Sequence, residues 1–131
     1  MQITGRCYCG QTKIAAKNPR VSLNCHCDDC RRSAGAPVTA FVEFDVADVE
    51  VTSSAEKSVS VNAGVTRTFC SNCGSPISGV YDCLLNMIYL LMGVLDQAEK
   101  LRPQSHAHFH SKLPWLHIED DLEKLSEYRL D

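Results

Sequence analysis

Apolar residues along this chain recur at two-residue spacing in short runs, and helical spacing is scarce. Gln11 to Ala16 alternates loosely, and Arg20 to Cys25 sets Val21, Leu23 and Cys25 on one side of an extended segment. Pro37 to Phe44 is rich in β-branched and aromatic residues, and Val49 to Thr52 is a further short run. Ser58 to Asn62 and Val65 to Phe69 flank the turn signal Asn62-Ala63-Gly64. Pro76 to Tyr81, Met87 to Met92 and Ala107 to His110 complete the strand predictions. Two helices are predicted. Asp28 to Ala34 forms a short one that stops at Gly35. Asp120 to Tyr128 forms another, with Leu122, Leu125 and Tyr128 on one face. The pattern predicts a mainly β domain of many short strands with little helix.

The 131 residues suit one domain spanning the whole chain, and 44% hydrophobic residues supply a small core. A formal net charge of −3 argues against nucleic acid as the main partner, because phosphate binding needs a basic surface. Met1 to Arg6 has no apolar leader core. The longest apolar stretch, Leu84 to Leu95, is interrupted by Asn86 and Gly93 and is too short to span a bilayer. A cytoplasmic protein with no membrane partner is expected. In that compartment clustered thiols point to metal more than to disulfides.

Seven of the eight cysteines fall into three clusters: Cys7-Tyr8-Cys9, Cys25-His26-Cys27-Asp28-Asp29-Cys30 and Cys70-Ser71-Asn72-Cys73. A tetrahedral zinc takes four thiolates, so seven reads as a closed site of four plus an open site of three. Spacing alone leaves two groupings. Either Cys7, Cys9, Cys70 and Cys73 share an ion, or Cys27 and Cys30 join Cys70 and Cys73 and leave Cys7, Cys9 and Cys25 over. Zinc on three thiolates carries one net negative charge. It is a weak Lewis acid, better suited to holding another thiolate than to making hydroxide. The alternative is a second structural site completed by His26, His106, His108 or His110.

At these residues the chain resembles the glutathione-dependent formaldehyde-activating enzyme family, which includes centromere protein V. The matching segments are Gly5 to Gly10, Cys25 to Pro37 and Arg67 to Pro76, with a weaker signature at Ser111-Lys112-Leu113-Pro114-Trp115. The resemblance implies a compact, zinc-bound β-tent-like fold. It implies a structural zinc on Cys7, Cys9, Cys70 and Cys73, and a catalytic zinc on Cys25, Cys27 and Cys30. The implied activity joins glutathione to formaldehyde as S-hydroxymethylglutathione, classed in reverse as a carbon–sulfur lyase. Small-molecule thiol and aldehyde are then the partners. Rivals are the same chemistry on another thiol adduct, and a non-catalytic zinc module that binds a protein.

Glutathione brings two carboxylates and one ammonium. Arg31 and Arg32 follow the middle cluster directly and are the expected carboxylate clamps, against a plain role on a solvated helical turn. His106, His108 and His110 alternate, so they are expected on one strand face, lining the pocket or facing solvent. His26 is expected to point away from a metal held by its neighbours. Trp115 reads as a core residue or a cleft wall, and Cys83 as a buried free thiol. The acidic stretch Glu119, Asp120, Asp121 and Glu123 replaces the Gly-Leu-Pro-like turn common in the family.

Overall fold

The computed structural model describes residues 1–127. In chain order the strands are β1 (Gln2–Arg6), β2 (Thr12–Lys17), β3 (Val21–Cys25), β4 (Thr39–Asp45), β5 (Val49–Ser53), β6 (Glu56–Val59), β7 (Val65–Cys70), β8 (Pro76–Tyr81), β9 (Met87–Leu91), β10 (Ser105–Ala107) and β11 (Glu123–Lys124). The one α-helix among the described residues, α1 (Asp28–Ala34), joins β3 to β4. Strands β1-β2-β5 form a three-stranded sheet, and β11-β10-β3-β4-β9-β8-β7-β6 form an eight-stranded one. Pairing is antiparallel except that β10 runs parallel to both β3 and β11.

Strand burial follows from side-chain alternation. In β2, Thr12, Ile14 and Ala16 face inward while Lys13, Ala15 and Lys17 face solvent. Central β4 is buried on both faces, which its run Phe41-Val42-Glu43-Phe44 matches. One core packs Val42, Phe44 and Leu90 with Ile3, Ile14, Cys7 and Cys70. Phe41, Tyr89 and Leu91 alternate with those residues along β4 and β9. They build a second core, with Leu23, Cys25, Cys30 and Ala107, on the other face. Glu43 is buried but paired: it accepts from the Tyr89 hydroxyl and from Arg20 Nε at 3.2 Å.

The small sheet is stapled to the large one along β1. Gly5 bridges Leu95, Asp96 N donates to Thr4 O at 2.8 Å, and Thr4 N donates to Gln97 Oε1 at 2.9 Å. A Cβ at Gly5 would run into the Val94 carbonyl oxygen, so this close approach requires glycine.

Four expectations are corrected. β1 was not expected, because Ile3 is its one large aliphatic residue. β6 starts and ends earlier than Ser58 to Asn62, because the turn into β7 begins sooner: Val65 N already donates to Asn62 O at 3.2 Å. β10 ends at Ala107 because His108 adopts a left-handed φ of 51°, and a 3-10 turn at Phe109–Ser111 follows. His106, His108 and His110 therefore do not share a strand face. Asp120 to Tyr128 is not a helix over its described part. Residues 123–124 instead pair with β10, and Leu125 N donates to His106 O at 2.8 Å. The tertiary pairing outweighs the helical spacing of the leucines, and Leu125 is still buried. Tyr128 lies outside the described residues. No helix among the described residues is long and apolar enough to cross a membrane.

Candidate metal centres

Two similar knuckles bring four sulfurs together. Cys7 directly follows β1, and Gly10 N returns to Cys7 O at 3.1 Å; Cys70 ends β7, and Gly74 N returns to Cys70 O at 2.7 Å. Both glycines take left-handed φ values, 86° at Gly10 and 80° at Gly74, which makes each turn tight. The sulfurs of Cys7, Cys9, Cys70 and Cys73 lie within 4.8 Å of one another. Cys7 and Cys9 are 3.6 Å apart, and Cys9 and Cys70 are 3.8 Å apart. A zinc–sulfur bond of about 2.3 Å gives a tetrahedral edge of about 3.8 Å, so these separations suit one such ion. Cys73 is pulled down to about 5 by the Ser75 hydroxyl and then the Ser75 backbone, which favours the thiolate a metal needs.

The second cluster forms where β3 becomes α1. Cys25 and Cys27 flank His26 in extended backbone, so their sulfurs fall on one side, 3.4 Å apart. Cys27 is the helix N-cap, and its sulfur accepts from Cys30 N at 3.3 Å. Gly35 closes the helix in the left-handed conformation, as the sequence predicts. The three sulfurs lie within 4.8 Å of one another, and no fourth ligating side chain joins them among the described residues. Of the two groupings that spacing left open, the fold brings together Cys7 and Cys9 with Cys70 and Cys73, and keeps Cys27 and Cys30 with Cys25.

Electrostatics at this cluster favour a cation. Cys27 is held far below the ordinary thiol range by hydrogen bonds from Cys25 and then Cys30. Cys25 is driven far upward by its bonds with Cys27 and Cys30 and then by burial. Cys30 is pushed up to about 11: the Cys25 bond pulls it down, but Cys27 and burial outweigh it. One thiolate thus forces its neighbours neutral. A bound cation is what lets all three ionise, which is the donor set a metal site requires.

Arg67 and Tyr81 stand beside this cluster, and sequence reasoning did not single them out. Arg67 faces the Cys30 thiol, lies over the Tyr81 ring at 5.7 Å, and reaches the Tyr81 hydroxyl at 3.5 Å. Burial pushes the Tyr81 phenol up, so it stays protonated at neutral pH. Arg67 also lines a cavity of about 480 Å³ between α1 and the β6–β7 hairpin, with Asp29, Arg32, Asn62 and Leu91.

The remaining candidates fall in varied places. Arg31 and Arg32 both bind the Asp28 carboxylate, at 2.6 Å and 3.0 Å, and only Arg32 lines the cavity. His26 turns to the side opposite the sulfurs, where its Nε2 meets His106 Nδ1 at 2.9 Å. Two expectations fail here: Cys83 is exposed, on the turn between β8 and β9, and Trp115 is 63% exposed and no part of the core.

A search of curated proteins gives no match. Among solved structures, the crystal structure of a Rhodobacter sphaeroides protein superposes with a TM-score of 0.61 at 19% identity, covering 71% of this chain and 87% of that one. That likeness concerns the fold. The family model described as glutathione-dependent formaldehyde-activating enzyme matches residues 2–111, a span that contains both cysteine clusters. The chain therefore belongs to the glutathione-dependent formaldehyde-activating enzyme family.

Proposed function

We propose that this protein joins glutathione to formaldehyde, or to a similar small carbonyl compound, at zinc held by Cys25, Cys27 and Cys30. Cys7, Cys9, Cys70 and Cys73 hold a second, structural zinc. The observation that carries this reading is a three-sulfur cluster with no fourth ligating side chain among the described residues, with Arg67 reaching from Cys30 to the wall of a nearby cavity that the three cysteines themselves do not line. Zinc in such a site supplies a coordination position for one more sulfur and the charge that lowers that sulfur's pKa.

The chain's own residues do the rest. Arg67 and Arg32 line the cavity and offer guanidinium groups to the two carboxylates of glutathione. Asp29, on the same wall, offers a carboxylate to the ammonium. The Tyr81 hydroxyl, kept protonated first by burial, supplies an O–H donor beside Cys30 for the oxygen that becomes an alkoxide. In the reaction a sulfur–carbon bond forms, the carbonyl pair moves onto oxygen, and the thiol's proton is returned to that oxygen through solvent. The adduct is then an S-hydroxyalkyl thioether, and the reverse reaction is a carbon–sulfur lyase.

Exchange NMR on labelled formaldehyde mixed with glutathione tests this. The adduct forms without a catalyst, so the rate is the readout. Zinc-loaded protein is expected to accelerate exchange, and Cys27→Ser is expected to lose the acceleration while keeping the other zinc. No acceleration from protein carrying two zincs would retire the catalytic reading in favour of a zinc module that binds a partner.

A further inference from the structure

The segment beyond residue 111, outside the family match, reaches back to the three-sulfur loop. Asp120 Oδ2 lies 2.8 Å from His106 Nε2, and His106 Nδ1 lies 2.9 Å from His26 Nε2. Both imidazoles are 1% exposed, and His26 sits between the ligand candidates Cys25 and Cys27. A carboxylate can only accept, so His106 carries its proton on Nε2. With both rings neutral, His106 Nδ1 is bare and accepts from His26 Nε2–H. His26 Nδ1 is then a bare acceptor, and it is buried with no partner among the described residues. An orphaned buried acceptor is unfavourable, so the ring is held in place by its other contacts.

Those contacts form a frame. Phe109 packs edge-on against both rings, at 5.6 Å from His26 and 5.5 Å from His106. His26 N donates to Ala107 O at 3.1 Å, and β10 pairs Ala107 with Cys25. The frame is fixed in turn from the C-terminal side. Leu125 N donates to His106 O, Phe109 N donates to Leu125 O at 3.0 Å, and His108 N donates to Glu127 O at 3.1 Å.

We infer that Asp120 is a positioning residue: through His106 and His26 it sets the Cys25-His26-Cys27 segment, so the strap of residues 112–127 is part of the three-sulfur site. The inference rests on the metal reading of that cluster and makes no use of glutathione or formaldehyde. Second-sphere partners of this kind are commonly worth about 10–100-fold in metal affinity.

The test uses the full chain loaded with cadmium, whose NMR gives a separate resonance for each site. Wild type is expected to show two. Asp120→Ala is expected to shift or broaden the three-sulfur resonance and to weaken that site about tenfold or more in chelator competition. The four-sulfur resonance should stay unchanged. Asp120→Asn keeps an oxygen that accepts from His106 Nε2–H, so it should restore most of the affinity and the resonance position. Two ions with an indifferent Asp120→Ala, or equal weakening of both sites, would overturn the relay while leaving the metal reading intact. A wild type that binds a single ion would remove the metal reading, and the relay with it.

Discussion

Arg67 places a half-buried positive charge against Cys30 and at the wall of the cavity, where the proposed glutathione would bring its carboxylates. Arg67→Met keeps most of the packing over the Tyr81 ring and deletes the charge. A charge-assisted hydrogen bond is worth about 1.5–3 kcal/mol, so kcat/KM for glutathione is expected to fall about 10–100-fold. Steady-state measurement at fixed aldehyde checks this, and an unchanged value would remove Arg67 from substrate recognition. His26 makes a second prediction. Burial pulls it from 6.5 down to about 4. The unfolded chain takes up this proton more readily than the folded one. The stability tied to neutral His26 is therefore complete above pH 6.5, drains away as pH falls, and is lost once pH passes about 4. Imidazole nitrogen shifts should report a neutral ring midway through that window, and a doubly protonated pattern there would contradict the burial argument. Neither Arg67 nor Asp120 was legible as a site residue in the sequence. Each reaches the cluster from a distant strand or strap, and linear spacing carries no trace of that approach. The cysteines were legible because metal chemistry fixes their spacing locally.

Among the elements, α1 was read to the residue because its stop signal is local: Gly35 takes the left-handed conformation that ends it. The central strands were legible for the same reason, their β-branched and aromatic runs matching burial on both faces. The C-terminal segment was misread because Leu122 and Leu125 satisfy a helical period while the available partner is the edge of β10. β1 owes its place to one seam. Gly5→Ala would press a methyl group into the Val94 carbonyl and the Leu95 side chain, where the two sheets meet. Overpacking of this kind costs about 1–3 kcal/mol, and the thermal midpoint is expected to drop accordingly. A midpoint equal to wild type would show that the seam yields.

For the whole molecule, the four-sulfur cluster is a second tie between the sheets. Cys7 directly follows a strand of the small sheet and Cys70 ends a strand of the large one. Structural zinc sites contribute on the order of 10 kcal/mol, far more than one seam of hydrogen bonds. Stripping metal with a strong chelator is expected to lower the thermal midpoint by at least about 10 °C, since 1 kcal/mol moves a domain of this size by about 3–6 °C. A midpoint indifferent to the chelator would mean the cores suffice alone. The parallel seating of β10 against β3 has a temporal side. A ribosome delivers all seven clustered thiols by Cys73, yet β10 and Asp120 are translated later. At typical elongation rates the stretch from Cys73 to Asp120 takes roughly 2–9 s. Through that interval the nascent chain can close its four-sulfur knot while the three-sulfur loop still lacks its backing. Metal is thus expected to be taken up in sequence, with the three-sulfur cluster filled last and its thiols exposed to oxidants until translation reaches the strap.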